Sequence, residues 1–63
     1  MTAIDVGTPE GRQEAMRLGV IWLDLETVDQ MVEDVKAGLY QLEKVPEEWT
    51  YYLREQGLEV PSV

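Results

Sequence analysis

The sequence contains no cysteine and no histidine, and these two absences exclude several kinds of chemistry. Disulfide bonds, thiolate nucleophiles and zinc sites built from sulfur or imidazole ligands are all ruled out. Imidazole acid–base catalysis is ruled out as well, so the threonines have no imidazole to activate them. Ser62 is the only serine, and it lies in a segment that we expect to be a loose tail. We therefore expect no catalytic residues, no cofactor and no enzyme activity.

Phosphate-binding and calcium-binding loops are also missing from the sequence. The five glycines are spread along the chain, whereas a phosphate-binding loop concentrates them. Asp24, Glu26 and Asp29 are close in sequence, but their spacing is not that of a calcium loop, which also needs a glycine at its sharp turn. We therefore expect no metal site.

Basic residues are few, since 5 Lys and Arg stand against 13 Asp and Glu and the net charge is −8. Proteins that bind nucleic acid directly neutralise phosphates with clustered basic residues. Here the basic residues are scattered from position 12 to position 54. Direct binding of nucleic acid is therefore not expected.

Long apolar runs are missing too. The longest strongly apolar run covers residues 18–23 and stops at Asp24, whereas a membrane-spanning helix needs about 20 residues. The first residues lack the basic start and the apolar core of an export signal. We expect no membrane segment and a cytoplasmic location, which the absence of cysteine fits.

The residues that are present suit one small folded domain. Apolar residues make up 44% of the chain, including two tryptophans and three tyrosines. No repeat, linker or low-complexity tract divides the chain, so we expect a single domain over residues 1–63 with loose termini at 1–7 and 59–63. A chain of this size buries only about 60% of its unfolded surface, which favours association with a second chain.

Local signals predict a short first helix. Thr8 supplies a capping hydroxyl, and Pro9 suits the first helical position. The helix should run to Leu18. Gly19 is then free to take the left-handed conformation that often ends a helix.

Residues 20–25 are ambiguous between a helix and a strand. In a strand, Ile21, Leu23 and Leu25 would share one face. In a helix, an apolar stripe continues into the next element at steps of three and four residues: Leu18, Ile21, Trp22, Leu25, Val28 and Val32. The stripe favours the helix.

The strongest predicted helix follows this segment. Thr27 and Gln30 form a capping-box pattern at its start. Apolar residues then recur at helical spacing through to about Lys44: Val28, Met31, Val32, Val35, Leu39 and Leu42. Gly38 interrupts this face, either as a tolerated local weakness or as a place where another helix approaches closely.

A third helix is predicted from position 46 to position 56. Its buried face is expected to hold three large side chains: Trp49, Tyr52 and Leu53. Gly57 followed by Leu58 forms a stop signal, because Leu58 can fold back onto the last turn. The expected fold is all-α, with a short helix, a long helix that starts no later than Thr27 and a short helix. The alternative is a small α+β fold with a strand at 20–25.

Acidic residues concentrate in one segment that holds no basic residue: Asp24, Glu26, Asp29, Glu33 and Asp34. On a helix, Glu26, Asp29 and Glu33 step by three and four positions and so line one exposed edge. This edge is either a solvated polar face or a surface complementary to a basic partner. Tyr51 points away from the predicted buried face and is either an interface anchor or an isolated surface tyrosine.

Together these features predict a small acidic binding protein, not an enzyme, that acts through a protein–protein interface. This class covers inhibitors, antitoxin-like neutralisers and regulatory adaptors, including proteins that mimic the charge of nucleic acid. The alternative is a structural or accessory subunit whose role is assembly of a homo-oligomer or a hetero-complex. The candidate partner-binding residues are Asp24, Glu26, Asp29, Glu33, Asp34 and Tyr51, and the expected partner is another protein with a basic surface.

Overall fold

The computed structural model describes residues 4–61, which form three α-helices and one short 3₁₀ turn. Helix α1 is Pro9–Leu18, the 3₁₀ turn is Val20–Leu23, α2 is Leu25–Lys36 and α3 is Glu47–Glu55. Within residues 4–61 there is no β-strand. The prediction of an all-α fold with three helices is confirmed, and the alternative with a strand at 20–25 is wrong.

Helix α1 begins and ends at the residues that the sequence indicates. The Thr8 hydroxyl oxygen accepts a hydrogen bond from the Gly11 backbone N–H at 3.1 Å, and Pro9 is the first helical residue. Gly19 ends the helix with φ of 84°, a left-handed conformation that glycine adopts without steric cost. These signals depend only on neighbouring residues, and all of them hold.

The segment after α1 is a 3₁₀ turn and not a continuation of the α-helix. The left-handed Gly19 precedes it, and the extended Asp24, with ψ of 119°, follows it. Ile21 and Trp22 are buried, whereas the two ends of the turn, Val20 and Leu23, are exposed. The predicted stripe is wrong at Leu18 and Leu25, which are exposed, whereas its other four members are buried. The left-handed Gly19 and the extended Asp24 interrupt its helical spacing.

Helix α2 begins at Leu25, in agreement with a start no later than Thr27, but it ends earlier than the sequence predicts. Asp24 caps it, since its carboxylate accepts from the Glu26 backbone N–H at 3.1 Å and from the Thr27 hydroxyl at 3.0 Å. Thr27 therefore lies inside the helix and is not its cap. The helix stops at Lys36, not near Lys44. It is still the longest of the three, with 12 residues.

Gly38 is the reason that α2 stops. It has φ of 80°, and two backbone N–H groups turn back onto the helix: Gly38 to Val35 at 3.0 Å and Leu39 to Asp34 at 3.0 Å. This is the Schellman arrangement. No atom lies within 4 Å of a Cβ placed on Gly38, so neither a close helix approach nor a tolerated weakness explains this glycine.

Residues 37–46 connect α2 to α3 without regular secondary structure. Along this connection Tyr40 and Leu42 are buried, while Gln41 and Glu43 between and after them are exposed. This alternation is typical of an extended chain laid across a core. The connection thus supplies the part of the core that the predicted longer helix would have supplied.

The core is assembled from every element of the chain. Its buried apolar residues are Ala15, Met16, Ile21, Trp22, Val28, Met31, Val32, Tyr40, Leu42 and Leu53. Trp22 and Trp49 stand 6.0 Å apart between ring centroids, and Trp49 meets Tyr52 edge to face at 5.7 Å, an arrangement that aromatic rings favour. The aromatic rings therefore join α3 to the 3₁₀ turn.

Helix α3 matches its prediction closely. It begins at Glu47 after Pro46 and ends at Glu55. Gly57 has φ of 88°, and the Leu58 backbone N–H donates to the Leu53 carbonyl at 3.2 Å. Leu53 is fully buried and Leu58 packs against the core, as the stop signal predicts.

One residue near each end of the described chain contacts the core, while its neighbours are exposed. Ile4 and Val60 are half-buried against the core. Residues 1–3 and 62–63 of the segments predicted to be loose lie outside the described residues.

Candidate functional site

Four exposed aliphatic side chains surround the 3₁₀ turn, and we call them the turn patch: Leu18, Val20, Leu23 and Leu25. They come from three consecutive elements, the end of α1, the 3₁₀ turn and the start of α2. Leu23 is the most exposed large apolar side chain among residues 4–61, at 86%. Single exposed leucines are ordinary, but here four exposed aliphatic side chains lie within eight consecutive residues, 18–25, and such a concentration is typical of an interaction surface.

The turn patch is exposed because the 3₁₀ turn can bury only one of its sides. Ile21 and Trp22 take that side and are 1% and 6% exposed. With the left-handed Gly19 on one flank and the extended Asp24 on the other, the residues outside this pair are turned to solvent. A shallow groove lies beside the patch and is lined by Leu18 and Trp22, among others.

The acidic residues predicted as a binding surface separate into different environments. Asp24, Glu26, Asp29 and Glu33 are exposed on α2 or at its start. Asp24 is occupied as the helix cap. Asp29 accepts a hydrogen bond from the Tyr52 hydroxyl, and this bond raises the pKa of Tyr52. Glu26 and Glu33 therefore remain as the acidic side chains of this face that hold no structural bond among the described residues.

Asp34 is buried, which corrects its assignment to the acidic surface. It is 6% exposed and lies between Arg12 of α1 and Tyr40 of the connection. Both of its oxygens are bonded by the Arg12 guanidinium, through Nε to Oδ2 and through Nη2 to Oδ1 at 2.9 Å. The Tyr40 hydroxyl also donates to Oδ2, at 2.8 Å. We call these three residues the buried polar cluster.

The buried polar cluster is electrostatically balanced. Burial by itself would raise the pKa of Asp34, but the hydrogen bonds from Arg12 and Tyr40 outweigh it and the pKa of Asp34 is lowered. The hydrogen bond to Asp34 raises the pKa of Arg12. Burial, followed by the bond to Asp34, raises the pKa of Tyr40. All three groups therefore keep their ordinary charge near neutral pH.

The cluster links four parts of the chain. Arg12 Nη1 also donates to the Val6 carbonyl at 2.8 Å, so the N-terminal segment, α1, α2 and the connection meet at one point. Among residues 4–61, every buried polar side-chain atom has a hydrogen-bond partner. Sequence reasoning missed this cluster because Arg12 and Asp34 are 22 residues apart.

Tyr51 is exposed, at 73%, on α3. It lies on a different element from the turn patch and from the acids of α2. Within residues 4–61, no hydrogen bond links Tyr51 to the turn patch or to the acids of α2. Its role at an interface stays a prediction.

Negative charge strongly predominates on the surface. Two ion pairs are present within residues 4–61, Arg12 with Asp34 and Arg17 with Glu43. They involve only two of the 13 acidic residues of the chain. The exposed Arg17–Glu43 pair contributes little to stability, since solvent screens it. The remaining eleven carboxylates have no cationic side chain within ion-pair distance.

In the described part of the chain, no group of three or more acidic side chains is arranged to hold a metal ion. None of the helices between residues 4 and 61 has the length and the apolar character needed to cross a membrane.

Comparisons with known proteins identify no relative. No protein-family model, no curated protein and no solved structure matches the chain.

Proposed function

We propose that this chain is a small acidic binding protein that acts without catalysis, by occupying a surface of another protein as an inhibitor, a neutraliser or a regulatory adaptor. The observation that carries the proposal is the turn patch. Its side chains are exposed although the core beneath them is closed by Ile21 and Trp22. An apolar surface that the fold itself does not use is typical of a protein interface.

The strong negative charge supports the same proposal. With a net charge of −8 and eleven carboxylates that lack a cationic neighbour, the protein attracts basic proteins over a distance. The same charge would let it occupy a site that normally binds nucleic acid. We place this activity in the cytoplasm, for which the absence of cysteine is the supporting observation.

Assembly is the second candidate function, and the same patch supports it. A chain of 63 residues has little stability to spare, and a second chain seated on the patch would bury the exposed leucines. In that case the role of the protein is to form part of an oligomer.

A matched pair of leucine variants tests the proposal. Leu23→Gln removes the most exposed side chain of the turn patch, and Leu39→Gln removes another exposed leucine, 56% exposed, in the turn after α2. We expect wild type and Leu39→Gln, used as baits, to retain the same protein, and Leu23→Gln to lose it. Equal retention by the two variants, both folded by circular dichroism, would contradict the proposal.

Light scattering on the same variants addresses the second candidate. A mass of two or more chains that falls to one chain only in Leu23→Gln would favour assembly. A single-chain mass for all three proteins would favour binding to a different partner.

A further inference from the structure

The turn patch continues directly into the acidic face of α2. Leu25, Asp29 and Glu33 occupy successive i, i+4 positions of that helix and are all exposed, so they form one row. Glu26 lies beside Leu25 in the first turn, seven positions before Glu33. With a rise of about 1.5 Å per residue, the row from Leu25 to Glu33 is about 12 Å long.

From Leu18 to Val35 this composite surface contains no basic residue, and Lys36 lies just beyond its end, three positions after Glu33. No Lys or Arg occurs between Arg17 and Lys36. The cations near the patch lie on its other side, where Arg17 and Lys44 line the shallow groove beside Leu18, and Arg17 is already paired with Glu43. The apolar and the acidic parts of the surface are thus contiguous on the α2 side alone.

We propose that the turn patch is occupied by a cationic amphipathic segment of another protein, whose apolar side chain contacts Leu23 and Leu25 while its Lys or Arg side chains lie along Glu26 and Glu33. This inference rests on the proposed function and specifies the chemistry of the partner. Charge complementarity carries it, because a basic segment gains from the acidic row as its apolar residue covers the leucines.

The same charges argue against a second copy as the occupant. Two copies joined through the patch would bring two chains of net charge −8 together, with the acidic row of each beside the other's. Like charges at close range oppose such a contact.

Peptide probes of fixed composition test the inference on the full chain. The first is an amphipathic helical peptide of leucine and lysine, the second replaces each lysine with glutamate, and the third replaces each leucine with serine. In an NMR titration we expect only the leucine–lysine peptide to bind tightly, with amide shifts concentrated in residues 18–33. Its affinity should fall as salt rises. Shifts centred elsewhere, or tight binding of the glutamate peptide, would overturn the inference.

Charge-matched double variants separate a local effect from the effect of net charge. Glu26→Gln with Glu33→Gln removes two charges from the acidic row. Glu55→Gln with Glu59→Gln removes two charges elsewhere, since Glu55 ends α3 and Glu59 lines a groove with Gly38 at the other end of α2. Asp29 is left intact because it accepts the Tyr52 hydroxyl. We expect the first pair to weaken peptide binding about fivefold and the second pair less than twofold.

The outcomes distinguish this inference from the proposed function. If Leu23→Gln weakens binding about tenfold but the two double variants weaken it equally, the cationic partner is wrong and the patch remains an interface. If Leu23→Gln binds as wild type does, the patch itself is wrong. A wild-type dimer that Leu23→Gln dissociates would overturn the inference in favour of a second copy.

Discussion

Replacement of Asp34 by asparagine should destabilise the fold severely, because it leaves the Arg12 guanidinium buried without a counter-charge. Arg12 is 7% exposed and makes two hydrogen bonds to the Asp34 carboxylate. Removal of one partner of a buried ion pair costs about 3–5 kcal/mol. A domain of this size has about 3–9 kcal/mol of stability in total. We therefore expect Asp34→Asn to be largely unfolded near the melting temperature of the wild type.

Urea titration followed by circular dichroism and by tryptophan fluorescence measures the loss. Trp22 is buried and Trp49 is half-buried against the core, so their emission reports unfolding. We expect a decrease of about 3 kcal/mol in the free energy of unfolding for Asp34→Asn. A decrease below about 1 kcal/mol would refute the reasoning, since that is the range of an ordinary surface substitution.

A variant that removes the whole buried polar cluster is the control. Combining Arg12→Met, Asp34→Leu and Tyr40→Phe leaves no buried charge and no unpaired hydroxyl. Apolar replacement of a buried ion pair is often neutral or stabilising. We expect this variant to be more stable than Asp34→Asn by over 1 kcal/mol. If it is equally unstable, the unpaired charge of Arg12 does not explain the loss in Asp34→Asn.

The effect should also depend on pH in a definite direction. Because the pKa of Asp34 is lowered in the fold, the unfolded chain, with an aspartate pKa of about 3.9, takes up its proton first as the pH falls. The stabilisation is therefore complete above about pH 5 and is lost progressively below it. The difference in unfolding free energy between wild type and Asp34→Asn should shrink between about pH 5 and pH 3. A constant difference would contradict the assignment.

Three further predictions concern backbone and side-chain features of the same fold. Gly11→Ala would place a Cβ against the Asp5 carbonyl oxygen. Thermal melting should therefore show a loss of stability of over about 1 kcal/mol, although alanine normally stabilises a helix. A gain in stability would refute this contact. Gly38→Ala meets no neighbouring atom and should cost only the left-handed conformation, about 1 kcal/mol, measurable by urea titration. The pKa of Tyr40 is raised in the fold, so the tyrosine ionises first in the unfolded chain. Stability should therefore fall above about pH 10. This fall should be smaller in Tyr40→Phe.

Helix ends were accessible from the sequence where short-range signals decided them. Thr8, Gly19 and Gly57 act through hydrogen bonds to residues at most five positions away, so their effect does not depend on the rest of the fold. Gly38 followed by Leu39 is the same kind of signal as Gly57 followed by Leu58. The prediction nevertheless extended α2 past Gly38, because Leu39 and Leu42 continue the apolar spacing of the helix.

The sequence also determined the acidic character of the protein, but not which carboxylates are exposed and which are buried. Helical spacing places Glu26, Asp29 and Glu33 on one edge, and the structure exposes all three. Asp34 looks like one more member of the same segment. Only the fold brings Arg12 and Tyr40 to it, and a charge enters a core only where such partners meet it.

The turn patch shows most clearly what tertiary structure decided. The sequence by itself determined that residues 18–23 form an apolar run, and helical periodicity placed Leu18 and Leu25 in the core. The left-handed Gly19 and the extended Asp24 isolate the 3₁₀ turn between them. A turn so short buries one side only, and Ile21 and Trp22 fill that side. The geometry of the chain around the turn leaves the leucines exposed to solvent, and no local sequence pattern predicts that geometry.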